Sequence, residues 1–361
     1  MKKKKIEIGL KKKILKKKSK KKKKSCISNK NMTNQEPITR QDNDRYSLFP
    51  IKHLNLWNAY KNHFNCMWSA DEIDFSIDKK EWANLSSNEK FFLENILAFF
   101  NSSDVIVLDN LITNMISQIT VPEARCFYSL QMMMENVHSE VYSLLIDNFI
   151  DDGYKKMKLF HAMENIPIVK KKSEWAIKWI SNNKDDGKDL ARKMFAFAVV
   201  EGLFFSGSFC AIFYFKEKGI LLNSLCKSNE WISRDEGLHT AFAIMMYNDM
   251  IENKLDEEEA IQIMKDAVEI ETEFVCSSLP VAMIGMDQEK MSSYIRFVAD
   301  KLLYSFHYKQ VFGDKNPFPW MMKINLDAKT NFFEQRVSEY SIAQTEKNNF
   351  DCLSNLKNEE F

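Results

Sequence analysis

Met134-Glu-Asn-Val-His-Ser-Glu-Val-Tyr142 is the stretch that decides the fold, because its core returns in the second half of the chain as Ser233-Arg-Asp-Glu-Gly-Leu-His239. Each holds a Glu-x-x-His word, Glu135 with His138 and Glu236 with His239. Residues three apart on an α-helix are surface neighbours, about 5–6 Å apart at Cβ. One such word therefore offers a carboxylate and an imidazole to a single ion, and two words offer a site for two. Alone, a Glu-x-x-His on a Glu-rich helical chain reads more plainly as an exposed pair, so the surroundings carry the weight.

Those surroundings are helical and apolar. Ser86-Ser-Asn-Glu89 is a capping box, and it opens a long helix through Phe91, Leu93, Ile96, Leu97 and Phe100 past Asp104. Pro122 suits a first helical turn, and the pattern then runs through Glu135 and His138 to about Phe149. Met194 to Phe215 is interrupted only by Glu201, two Gly and two Ser. By length it would span a bilayer, but a carboxylate near the bilayer centre is costly and no companion span of similar purity is evident. It reads instead as the central helix of a soluble bundle. Residues 46–68 read as a docked segment leading into helix, with further helices at about 155–165, 169–182, 225–253, 257–278 and 287–312. Nine Gly and seven Pro in 361 residues agree with an all-α chain.

The order of a carboxylate followed by Glu-x-x-His occurs twice: Asp104 before Glu135 and His138, then Glu201 before Glu236 and His239. Four helices with that ligand set predict a ferritin-like helical bundle with a di-metal carboxylate core and additional helices. Asp104 precedes Val105-Ile-Val-Leu108, and Glu201 lies between Val199-Val200 and Leu203-Phe-Phe205. An unpaired charge on such faces is expensive, and neither run contains a Lys or Arg. Two divalent cations would balance four carboxylates with both imidazoles neutral; separate interhelix ion pairs are the alternative. Oxygen-rich ligation with two nitrogens and no thiolate suits iron or manganese rather than structural zinc. The other four histidines, His53, His63, His161 and His307, read as surface or packing residues.

Tyr142 follows His138 by four residues, so its phenol rises on the same helical stripe toward the cluster. Phe205 and Phe209 share the face of Glu201, as a dry wall or as ordinary core.

The runs MENVHSEVY (134–142), VEGLFFSGSF (200–209) and ISRDEGLH (232–239), with EARCFYSLQ, NPFPWM and KTNFFEQRVSEY, resemble the radical-generating small subunit of class I ribonucleotide reductase, closest to the eukaryotic type. The resemblance covers roughly Tyr46 to Tyr340. It implies that two iron ions at Asp104, Glu135, His138, Glu201, Glu236 and His239 react with dioxygen and that Tyr142 stores a radical, which then serves ribonucleotide reduction in a separate large subunit. It also implies a path from Trp68 through Asp235 to His138, with Tyr340 handing on toward the partner, and a supporting role for Arg234 and Ile232 near the radical pocket. Asp235, next to Glu236, is placed to accept the second imidazole N–H of His138. On the residues alone Trp68 reads as core. A homodimer is implied by the family.

The ends differ from the body. Residues 2–24 hold fifteen of the 51 Lys and Arg but one of the 50 Asp and Glu, leaving 36 basic and 49 acidic residues, about −13, for the rest. The divisions expected are a Lys-rich extension over 1–45, a di-iron helical domain over 46–340 and a tail over 341–361. The extension reads as a solvated segment or a nuclear-entry signal; nucleic acid is not an expected partner. Seven Cys without a CxxC or a signal peptide suggest a cytoplasmic protein. The tail ends Glu359-Glu360-Phe361, as a segment docking on the large subunit would, although Lys357 breaks its acidic run. Two alternatives remain: another di-metal oxidase on the same bundle, and a non-catalytic paralogue that regulates the reductase.

Overall fold

A computed structural model describes residues 36–40, 47–181, 184, 186–279 and 286–321. The Lys-rich run, Tyr340 and the tail to Phe361 lie outside them. The helices that position the cage begin and end where local chemistry dictates. Ser86 accepts the Glu89 N–H, and Glu89 reaches back to the Ser86 N–H, 2.8 Å. This capping box starts the long helix that continues through Asn110 into a wider π-helical turn, Leu111–Ile116.

We number the helices α1 (Leu54–Phe64), α2 (Lys79–Asn84), α3 (Ser87–Asn110), α4 (Pro122–Phe149), α5 (Gly153–Phe160), α6 (Ala162–Asn165), α7 (Pro167–Ser181), α8 (Asp189–Val199), α9 (Ser206–Glu217), α10 (Leu225–Met250), α11 (Glu257–Ser278) and α12 (Gln288–Ser305). The described residues contain no strand. α3 packs on α4, α1 on α4 and α10, α10 on α8 and α9, and α11 on α12. Four of these, α3, α4, the α8–α9 line and α10, bring the ligand words together.

Between α8 and α9 the chain takes a π-helical turn, Val200–Phe204, with Glu201 inside it. Such a turn adds a residue to one helical coil and frees backbone groups from the regular ladder. The Phe204 carbonyl accepts from Lys172 Nζ at 2.8 Å instead. Lys172 lies 2.5 Å from Glu271 Oε2, and neither side chain has any exposure. A Cβ on Gly207 would stand 2.6 Å from Glu271 Oε1, so the glycine leaves room for this carboxylate.

Some sequence expectations need correction. Among the described residues Ser87–Ile116, as well as Asp189–Glu217, is long and apolar enough to cross a membrane. The α8–α9 line therefore does have a companion. Most of each apolar stretch is buried inside the bundle, so both are core helices. The helix expected at 155–165 is two pieces broken at His161, and the one expected at 287–312 stops at Ser305. There Asp300 captures the N–H groups of Val311 and Gly313, each at 2.7 Å, and of Phe312, holding the chain in a turn.

Candidate metal centre

Asp104, Glu135, His138, Glu201, Glu236 and His239 are all buried and converge between α3, α4, the α8–α9 line and α10. Glu135 and Glu236 stand in the middle. His138 Nδ1 lies 3.4 Å from Glu135 Oε2 and 3.2 Å from Glu236 Oε1. His239 Nδ1 lies 3.0 Å from Glu135 Oε1 and 3.5 Å from Glu236 Oε2. Each central carboxylate thus turns one oxygen to each imidazole. Glu201 flanks the His239 side at 4.0 Å, and Glu135, Glu201, Glu236 and His239 offer ligand atoms within 4.8 Å of one another. Asp104 bears on Glu135 and His138 electrostatically.

Asp104 Oδ2, both oxygens of Glu135 and of Glu236, Glu201 Oε2 and both Nδ1 atoms have no hydrogen-bond partner. Buried polar groups are ordinarily satisfied, so the cluster fits two cations that complete it.

As protein groups alone, the six are short of positive charge. Burial, reinforced by Glu135, raises the Asp104 pKa well above the ordinary range. Burial likewise raises Glu201, with Glu236 and Glu135 adding to it against the pull of His239. Burial works against charging Glu135 as well, but the His138 and His239 imidazoles, 3.4 and 3.0 Å from its two oxygens, outweigh it and hold the carboxyl low. Burial is outweighed too at the imidazoles: Asp235, Glu135 and Glu236 raise His138, and Glu135 and Glu236 raise His239 to about 10. Two divalent cations would occupy the place of those protons and leave both imidazoles neutral ligands.

The surrounding residues hold these ligands in place. Trp68 Nε1 donates to Asp235 Oδ2 at 2.7 Å, and the same oxygen lies 3.3 Å from His138 Nε2. Arg234 donates to Asp235 Oδ1 through Nε at 3.0 Å and Nη2 at 2.8 Å, and Nη2 also reaches the Cys66 carbonyl. Burial would raise the Asp235 pKa, but Arg234 and His138 more than reverse it. The Trp68 ring lies nearly parallel to His138, centroids 5.9 Å apart.

Tyr142 is buried and stacks on Phe100 at 4.5 Å. Phe100 in turn meets Phe205 at 5.7 Å and Phe209 at 5.1 Å, so Phe100 joins the two expected aromatics to the phenol. Burial, then the charge of Asp104, raises the Tyr142 pKa well above that of a free phenol. Ile232 is buried one turn before Glu236. Tyr340 lies outside the described residues.

Sequence reasoning missed two neighbours of the ligands. Gln131 Nε2 donates to Glu201 Oε1 at 2.6 Å; its place four residues before Glu135, on an otherwise apolar stripe, was the available signal. His63, read from the sequence as a surface or packing residue, is buried with Nε2 3.3 Å from His239 Nε2.

The chain matches the family described as "Ribonucleotide reductase, small chain" over residues 45–317. It is 49% identical over 314 residues to the ribonucleoside-diphosphate reductase small subunit of Dictyostelium discoideum, covering 87% of this chain and 91% of that protein. It is 48% identical over 309 residues to the corresponding protein of Nicotiana tabacum, covering 86% and 92% respectively. Among solved structures it is similar to the Saccharomyces cerevisiae Rnr4 homodimer, with TM-score 0.71, 34% identity, and coverage of 89% of this chain and 98% of that one.

Proposed function

This protein belongs to the ribonucleotide reductase small-chain family and is the small subunit of a ribonucleoside-diphosphate reductase, and from that premise we propose that its cage holds two iron ions and that Tyr142 stores a neutral radical. One observation carries the reading: Glu135 and Glu236 each turn one oxygen to His138 and the other to His239 at 3.0–3.5 Å. Asp104 and His138 would complete one half of the cage, Glu201 and His239 the other. Two bound ferrous ions would supply electrons to dioxygen and leave an oxidant able to take one electron from a nearby phenol.

The rest is the work of this chain's residues. Burial keeps Tyr142 a neutral phenol. Phe100, Phe205 and Phe209 keep the pocket dry and offer nothing easily oxidised, which protects a stored radical. Trp68, Asp235 and His138 form a continuous hydrogen-bonded line from a docked segment to the cage. Along it the hole moves outward, and Tyr340 passes it to the large subunit, on which the tail ending at Phe361 docks. Two copies of the chain form the working dimer, in the cytoplasm, with the Lys-rich extension available for nuclear entry.

Wild-type protein loaded with Fe(II) and exposed to air should give a tyrosyl radical signal in electron paramagnetic resonance. The signal should narrow with ring-deuterated tyrosine and vanish in Tyr142→Phe. A wild-type protein that takes up two irons yet gives no radical, or an unchanged radical in Tyr142→Phe, overturns the reading.

A further inference from the structure

His63 stands at the end of α1, where α1 packs on both α4 and α10. It has no exposure, its ring lies 5.2 Å from that of Phe127, and its Nε2 lies 3.3 Å from Nε2 of His239. Two imidazole nitrogens at that separation share one proton, and the remaining contacts decide which ring owns it. His239 Nδ1 faces Glu135, Glu236 and Glu201 and has no other partner. A proton there would occupy the place of a cation. The His239 proton therefore belongs on Nε2, which points at His63.

We propose that His63 is a positioning residue for the metal site: its Nε2 lone pair accepts the Nε2–H of His239 and so fixes His239 with its Nδ1 lone pair toward the cage. The proposal rests on His239 being a metal ligand, as proposed above. It requires His63 to be neutral with its own proton on Nδ1. Its Nδ1 is buried and has no hydrogen-bond partner, so nothing on that side of the ring competes for its tautomer. That nitrogen carries the proton because Nε2 is needed as an acceptor.

The two ligand imidazoles are then held by unlike partners. His138 faces a carboxylate, Asp235, and His239 faces a neutral ring. A metal-bound imidazole ordinarily has an outer hydrogen-bond acceptor that fixes its tautomer and raises its basicity. A neutral acceptor raises basicity less than a charged one, so the His239 half of the cage should be the weaker donor.

The test uses full-length protein labelled with ¹⁵N-histidine and loaded with Zn(II) as a diamagnetic stand-in. Proton–nitrogen correlation spectra should show His63 protonated on Nδ1 and His239 on Nε2. His63 protonated on Nε2 overturns the proposal, and this measurement needs no variant to fold. Chelator competition for the two ions adds a second readout. His63→Leu, which has no acceptor, should weaken one of the two sites about tenfold, whereas His63→Gln, whose amide oxygen accepts, should keep most of the affinity. Equal losses in both variants, or none in His63→Leu, reduce His63 to packing and overturn the proposal. His239→Ala separates the two readings. If it still binds two ions as wild type does, the ligand assignment fails and the proposal with it; if it loses a site while His63→Leu does not, only the proposal fails.

Discussion

Trp68 Nε1 donates to Asp235 Oδ2 across 2.7 Å, although the two residues are 167 positions apart in the chain. The bond fastens the segment after α1 to the helix that carries Glu236 and His239, and it gives Asp235 a partner beside His138. Trp68→Phe should retain both metal ions and the Tyr142 radical, because no ligand is lost. Nucleotide reduction with the large subunit should fall by orders of magnitude, because the donor at the head of the line is gone. Radical yield and turnover measured on one preparation check this, and normal turnover in Trp68→Phe removes the residue from the path.

Gln131 holds Glu201 by a single 2.6 Å bond at a place where burial raises that carboxyl's pKa. Gln131→Leu should weaken the ion on the Glu201 side by about 10-fold or more, and leave the other largely unaffected. Step-wise chelator titration resolves the two ions. Two sites of unchanged affinity would show that Gln131 only fills space.

Lys172 and Glu271 form a buried pair that works against itself. Burial lowers the lysine pKa to about 8 and raises that of the glutamate to about 7, so in both the cost of burying the charge outweighs the partner's attraction. Removing one partner should be worse than removing both. Lys172→Met is expected to cost about 3–5 kcal/mol, and Lys172→Met with Glu271→Leu should recover part of it. Recovery is incomplete because the Phe204 carbonyl loses its donor in both. Urea midpoints rank the three proteins, and a double variant no more stable than the single one contradicts the account.

Arg192 holds Asp186 and Glu259 below their ordinary values, chiefly by hydrogen bonding to each. A carboxyl lowered on folding contributes stability that is complete above its unfolded value and is lost as pH falls through the folded one. The Glu259 contribution should therefore be whole above about pH 4.5 and fade below it, with that of Asp186 following at lower pH. Arg192→Gln should flatten this acid limb in thermal melts taken from pH 6 down to about 3. Asp186 is exposed and Glu259 only half-buried, so the effect is modest and shrinks with salt.

The six ligand candidates were legible because helical spacing puts Glu135 beside His138 and Glu236 beside His239, and because Asp104 and Glu201 interrupt apolar runs that explain nothing about them. The fold class followed from the same pattern. The π-helical turn around Glu201 was not legible. A run as apolar as Val199 to Phe209 reads alike with or without one extra residue in the coil, and what supports the turn is Lys172, far off in the chain. His63 was hidden for a similar reason. It lies among polar neighbours, and its partner is 176 residues away. Phe100 was seen as helix core, but only the packed structure shows it lying flat on Tyr142.

One short stretch, from α1 through Trp68, reaches both imidazoles: His63 touches His239, and Trp68 touches the aspartate that faces His138. The four ligand helices are long and deeply interlocked, whereas α1 has eleven residues and is only partly buried. Local opening begins where little is buried. Detaching this strap would strip the outer support from both halves of the cage in one event. The lifetime of a loaded cage would then be a property of the strap: how long two ions stay would depend on how rarely one small helix lifts, even while the bundle beneath it remains folded.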